Sequence, residues 1–513
     1  MKRSGAVTAS SSAAAEAGVA ILRQGGNAVD AAVATALASC VADGCNTGLG
    51  GYGGHMVVGP VWGDPVSIDF NMWVPASAAD AYRGRGGEGP PASVIPNVIA
   101  GLSNALGELG TMDWATVSAP AVELAAHGVE ANATIRAAFN QVACAGFVAD
   151  CFAFEPLPDD GGEPRFRFKQ AALARTLEQL ATNGPAWFYD GPIGDLAVRI
   201  LRDGGHELTR AHWSQAPGAV TVAPAPRLRI GDATLFSAPL GTSGSASMFA
   251  TVSAGAALAC KKPLDTAEAV LAWATKIASA WTYRFGTQEG NCIAADGLQD
   301  WIARAIAFEQ PATIPASTGH TCHLNTCDGD GMIVAMTLTH GPAWFGARWA
   351  VSGSGVIMNA GAHLLADVAP RIAGARAFAV TNMSPTIART KDGGMLAVGC
   401  PGGRRIPTII GLFLTRHLFG GIGLQDAVSC GRFHAESRDL ATVETGRWDP
   451  SVPAALRTGF RAVAEEGPEH YYGPFTSIRR ESSGGITFGL DDRWLGCSAL
   501  CPELPSDSGA AAF

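Results

Sequence analysis

Charge is scarce in this chain of 513 residues. Asp, Glu, Lys and Arg supply 16% of it, against about a quarter in an average soluble domain. Hydrophobic residues reach 47% and glycine occupies 64 positions, which excludes a disordered polymer and fits a compact, well-buried globular enzyme. No basic cluster or arginine stripe interrupts a net charge of −9, so nucleic acid is not an expected partner. Also missing is an apolar run long enough to cross a bilayer, so no membrane is expected either. Met1-Lys2-Arg3-Ser4 is followed by Ala, Ser and Glu where a signal peptide would turn greasy, which reads as no export signal. The 12 cysteines lack the density of a disulfide scaffold and read as reduced thiols of a cytoplasmic protein. The length suits two ordinary domains or one large multilayer domain.

What is present centres on residues 319–345. Two runs of β-branched and apolar residues, 321–327 and 332–339, flank Asp328-Gly329-Asp330-Gly331, the composition of a tight β-hairpin. With Gly329-Asp330-Gly331 as the loop, Asp328 faces Met332 and Thr321 lands opposite Thr339. A shorter loop slips the pairing by one residue and turns each side chain to the other face. The spacing thus allows two threonine hydroxyls to meet without requiring it. Strand threonines are common, but a threonine freed at a chain terminus is also a nucleophile, its own α-amine serving as base. Freeing Thr321 requires cutting the His320–Thr321 bond. Residues 308–320 are polar and contain proline, suited to an exposed segment that must be cut.

Other constellations carry less. Gly48, Gly50 and Gly53 satisfy G-x-G-x-x-G, but here the glycines follow a helix and open a strand, the reverse of a dinucleotide fingerprint. His320, Cys322, His323 and Cys327 alternate between strand faces and cannot converge simply on zinc. Gly241 to Ser245 fails the G-x-S-x-G elbow, because serine holds the last position. Residues 10–44 read as two helices, the first capped by Ser11 or Ser12 and ended by Gly25-Gly26. The second carries Val29, Ala32, Val33, Ala36, Leu37 and Cys40 as one narrow face. Residues 145–165, rich in Asp, Gly and Pro, read as a surface loop.

Thr321-Cys322-His323, Asp328, Asp330-Gly331 and Thr339 together resemble the start of the small subunit of γ-glutamyltranspeptidases. These are N-terminal nucleophile hydrolases, made as a proenzyme that cuts itself before its catalytic threonine. The family pattern is Thr-Thr-His, a hairpin, then a second threonine; Cys322 replaces the second residue here. The resemblance extends to residues 21–34, 95–102, 188–191, 238–244, 353–359, 381–387 and 401–406, and more loosely to 432–434 and the closing stretch 486–513. It implies an α+β, four-layer αββα sandwich. Residues 1–320 would form a large-subunit segment and 321–513 a small-subunit segment, held as one unit after cleavage, with a higher oligomer possible. Thr321 would be the nucleophile, Thr339 its orienting partner, and Gly402 and Gly403 the N–H donors to the oxyanion. The positions of Asn71, Thr381 and Asn382 are those that contact substrate. No cofactor and no metal is implied.

Three departures bear on the substrate. Asn71 stands where the family has an arginine for the α-carboxylate, and an amide cannot offer a charged bidentate fork. Ala360-Gly361-Ala362-His363-Leu364 replaces the acidic run that holds the α-amine. Arg404 replaces a small serine and reads either as an anchor for a substrate carboxylate or as a solvated surface arginine. The expectation is therefore an amidohydrolase acting on a different small amide, like the family's oxamate-hydrolysing branch, through an acyl-enzyme resolved by water. One alternative is a γ-glutamyltransferase or glutathione hydrolase with relocated binding residues. A second is a non-catalytic, uncleaved binding protein of the same fold.

Overall fold

A computed structural model describes residues 5–60, 63–82, 85, 87–142, 145–158, 165–287, 293, 295–310, 319–367, 371–467, 473–493 and 498–500. Most of the proline-containing lead into Thr321 (311–318), part of the Asp/Gly/Pro stretch (159–164) and the tail beyond 500 lie outside those residues. Among the described residues, no helix is long and apolar enough to cross a membrane.

Two sheets organise the chain. The first has seven strands, in the order Ser498–Leu500, Ala6–Ala9, His320–Cys327, Ile333–Gly341, Gly53–Gly59, Val66–Asp69 and Thr221–Pro224. The second has six: Ile486–Leu490, Thr476–Arg480, Met395–Gly399, Thr386–Arg389, Ala233–Ser237 and Arg227–Ile230. Cys327, Ile333, Ala335 and Val57 of the first sheet pack on Phe236, Ile387, Ala397 and Ile478 of the second. Cys322, Leu324, Met336 and Leu338 point the other way, into a core built with the Ser12–Arg23 and Ala28–Ala42 helices. On the far side, Leu235, Leu396 and Val398 pack under the Ser245–Ala259 and Ile406–Leu418 helices. Helices, sheet, sheet and helices make four layers, as expected for the αββα arrangement. The His320–Cys327 strand lies between Ala6–Ala9 and Ile333–Gly341, so the first sheet draws strands from both sides of residue 320.

Local details differ from expectation where tertiary packing decides. The Ala28–Ala42 helix is buried at all fifteen positions, so it has no single apolar face; its small side chains let it run between packed layers. Ser11 sits at the cap position of the first helix without a capping bond. Asn27 instead caps the second, accepting from the N–H of Val29 and Asp30. Within 145–165, Gly146–Cys151 is a helix and Ala153–Pro156 pairs with Phe166–Lys169, and Phe147 and Phe152 bury against Phe139 and Phe345.

Candidate active site

The hairpin places the site. Asp328 Oδ1 accepts the backbone N–H of Asp330, Gly331 and Met332, which closes the turn on the longer loop. Its Oδ2 accepts from Ala28 N at 3.0 Å, tying the turn to the start of a buried helix. Pairing then runs one for one from Cys327–Ile333 to Cys322–Leu338. Beyond that the register slips and His320 pairs with Gly341. Such a bulge re-aims the side chain it interrupts, and here it interrupts at Thr321.

Along this strand the face toward the second sheet changes character. Cys327 is packed among apolar side chains, whereas Asn325 bonds Thr8 and Thr476. His323 bridges Thr337 and Asn325 at 2.8 and 3.0 Å. Burial drives His323 down to about 3, against a weaker upward pull from Asn325, so it is a neutral hydrogen-bonding spacer. Thr321 ends this polar row, 6% exposed.

Thr339 does not meet the Thr321 hydroxyl as the one-for-one pairing would allow. Its Oγ1 donates to the His320 carbonyl at 2.5 Å and accepts the Gly341 N–H at 2.9 Å. The carbonyl so engaged belongs to the peptide bond that joins His320 to Thr321. Burial also lowers His320 to about 4, with Arg348 adding to the effect, and its ring leans on Trp344 at 5.0 Å.

A small cleft of about 30 Å³ opens over Thr321. Thr339, Thr381, Asn382 and Gly403 share its wall, as do Tyr52 and His363. Gly402 and Gly403 have φ of +132° and +58°, a succession that glycine alone takes without strain. They start the short turn Gly403–Arg405 that leads into the Ile406–Leu418 helix, so backbone N–H groups gather beside the cleft. A Cβ on Gly319 would lie 2.8 Å from Gly403 Cα; the residue before the His320–Thr321 bond is thus seated against this glycine turn.

The remaining expected residues fall in different places. Thr381 and Asn382 are on the cleft wall. Asn71 is buried, its amide donating to Ala379 O at 2.6 Å and accepting from Met72 N at 2.8 Å, and it is not among the lining residues. Arg404 is neither a solvated surface arginine nor a wall residue. It is 3% exposed, bonded to Glu436 at 2.8 Å and stacked over Phe285 at 5.2 Å. His363 lines the cleft and bonds Ala360 O at 2.6 Å, whereas His340 packs against Gly48 beneath it. Among the described residues, no group of three or more His, Cys, Asp or Glu is placed to hold a metal ion.

Cys322 points into the helix-side core, fully buried, with its sulfur 3.4 Å from Ser10 Oγ. Burial, then Asp43 nearby, pushes its thiol up to about 12, so almost no thiolate exists at neutral pH. Cys322→Ala is expected to cost about 1–3 kcal/mol of stability for the small cavity while kcat per folded molecule stays within about threefold of wild type. Urea unfolding beside amide hydrolysis checks this; loss of all turnover in a folded variant would make Cys322, not Thr321, the candidate nucleophile.

Several residues beside the cleft had no local sequence signal. His55 and Asp69 face each other on adjacent strands, with Nδ1 3.3 Å from Oδ1. His55 Nε2 lies 3.1 Å from Thr381 Oγ1. Arg284, on the Ala267–Gly286 helix, donates to Asn382 Oδ1 at 3.2 Å and to Thr381 O at 2.8 Å. Only strand pairing and a long-range helix contact bring these together.

Known proteins resemble this chain in sequence and in fold. The sequence profile described as Gamma-glutamyltranspeptidase matches residues 14–499. A glutathione hydrolase proenzyme of Escherichia coli (strain K12) is 28% identical, over 90% of this chain and 86% of its own length. An oxamate amidohydrolase proenzyme of Klebsiella pneumoniae is 27% identical, over 86% of this chain and 88% of its own. In fold, the chain superposes on a cephalosporin acylase from Bacillus halodurans with a TM-score of 0.78 at 19% identity, covering 97% of this chain and 96% of that one.

Proposed function

The chain belongs to the γ-glutamyltranspeptidase family, and on that premise we propose that it is a self-processing amidohydrolase whose nucleophile is Thr321. The observation that carries the proposal is the bond from Thr339 Oγ1 to the His320 carbonyl. A carbonyl that accepts a short hydrogen bond is polarised toward attack, and the hydroxyl nearest to it in the chain is that of Thr321 itself. Attack would convert the amide to an ester, which water opens into segments 1–320 and 321–513. Cleavage frees the α-amine of Thr321 to serve as general base and releases Gly319 from the glycine turn.

In turnover, Thr321 Oγ1 adds to the substrate carbonyl, and the N–H groups of Gly402 and Gly403 receive the developing oxyanion. Each such donor contributes about 3–4 kcal/mol where measured. Thr339, no longer bonded to an amide carbonyl of the chain, orients the nucleophile. The amine or ammonia leaves, and water hydrolyses the acyl-enzyme. Among the described residues, those lining the cleft include no Arg, Lys, Asp or Glu, which supports a small amide without the amino-acid charges of a γ-glutamyl group.

Thr339 carries a prediction of its own. Thr339→Val keeps the shape but removes the donor, and chain cleavage is expected to slow by about 10- to 100-fold. Thr339→Ser is expected to restore most of the rate. Timed denaturing gels of freshly made protein measure both; equal rates for the valine variant and wild type would discard the role.

A further inference from the structure

The cleft wall has a hydrogen-bonding polarity set from behind. Thr381 Oγ1 has one proton and two buried partners for it, the Thr242 carbonyl at 3.0 Å and His55 Nε2 at 3.1 Å. Burial pushes the Asp69 carboxyl up, but His55 beside it, the Thr242 hydroxyl and the Asn71 N–H together hold it below its ordinary value. With a proton on Nδ1, 3.3 Å from Asp69 Oδ1, a neutral His55 ring presents Nε2 as a lone pair. If the ring is charged, Nε2 donates and the hydroxyl proton goes to Thr242. In both states the proton of Thr381 points inward, and the cleft meets only an acceptor oxygen.

Asn382 has the opposite polarity. Its Oδ1 takes the Arg284 guanidinium, and the flipped amide would set N–H against N–H. The Nδ2 donors are therefore what Asn382 offers to the cleft. An acceptor beside a donor is the complement of a group that carries N–H next to C=O. An ammonium would suit Thr381 and repel Asn382; a carboxylate would suit Asn382 and meet lone pairs at Thr381.

Resting on the amidohydrolase reading, we infer that Thr381 and Asn382 recognise a neutral carboxamide or ureide at the non-reacting end of the substrate. His55, with Asp69 behind it, is a positioning residue that acts through Thr381.

The test uses cleaved wild-type protein with three probes: malonamide, malonamate and glutamine, whose far ends are a carboxamide, a carboxylate and an amino acid. Malonamide is expected to lead in kcat/KM by about tenfold or more, mainly through KM. Thr381→Val removes the acceptor and is expected to lower that lead about tenfold, with Thr381→Ser recovering it. His55→Phe is expected to give part of the same loss, and none beyond it when combined with Thr381→Val. Turnover of malonamate or glutamine that equals malonamide, turnover of none of the three, or simply additive losses would overturn the inference. An unbroken chain on denaturing mass analysis would instead sink the self-processing function, and this inference with it.

Discussion

Thr321→Ala is expected to abolish chain cleavage and to lower amide turnover by about 10⁴-fold or more, the scale seen when a covalent nucleophile is deleted. Both losses have one cause. In the proposed mechanism the hydroxyl that attacks the His320 carbonyl is the one that later attacks substrate, so a variant without it would form neither the first ester nor any acyl-enzyme. Neither Cys322 nor Thr339 is placed to substitute. Cys322 is one residue away but on the opposite face of the strand, sealed in the helix-side core. Thr339 reaches the His320 carbonyl as a donor and has no base of its own there. Thr321→Ser keeps a hydroxyl and an α-amine at the same position, so it is expected to cleave and to retain measurable turnover. Side-by-side kinetics of the two variants make the check. An alanine variant that keeps more than about one part in a hundred of wild-type kcat/KM would place the nucleophile elsewhere.

The largest effect on stability is expected away from the cleft, at Asp491. Its side chain is completely buried and pairs with Arg432 at 2.6 Å and Arg493 at 3.1 Å; it also accepts from Phe475 N at 2.9 Å. Arg493 and Arg432 N in turn reach Glu444, so one carboxylate faces two buried guanidinium groups. Asp491→Ala leaves those cations short of a partner inside the protein, and about 3–5 kcal/mol of stability is expected to go. Burial pushes the Asp491 carboxyl up, but the two arginines and the Phe475 N–H outweigh it and hold it below its ordinary value. A depressed folded-state value means the ionised form carries the stabilisation. That contribution is complete above the unfolded value, about 4, and is lost as pH falls through the lower folded one. Urea unfolding across pH 7 to 3 is therefore expected to show a gap between wild type and variant that narrows below about pH 4. A gap that widens with acid would contradict this account of the network.

What could be read in the chain, and what could not, divides by the range of the interactions. The hairpin followed from Asp328-Gly329-Asp330-Gly331, but its register stayed open between two loop lengths; the Asp328 side chain decides it by closing the longer turn. The slip between His320 and Cys322 did not follow, since it depends on how residue 320 sits against the rest of the molecule. Val29, Ala32, Val33, Ala36, Leu37 and Cys40 suggested one face on the Ala28–Ala42 helix; small side chains on every side serve instead to bury it completely. The absence of charge partners for a γ-glutamyl group could be read position by position, and among the described residues none lines the cleft. The fate of individual replacements could not. Asn71 turned inward to bond the backbone, and Arg404 found Glu436, thirty-two residues further on. His55 and Asp69 lie on separate strands and Arg284 on a distant helix, so no spacing rule could bring them to Thr381 and Asn382.

The central claim is that the chain matures by cutting itself at one bond, and intact mass under denaturing conditions tests it most directly. The account predicts two species, residues 1–320 and a fragment beginning at Thr321, from wild type, and one unbroken species from Thr321→Ala. A single full-length mass from both, or a break at any other bond, would contradict it.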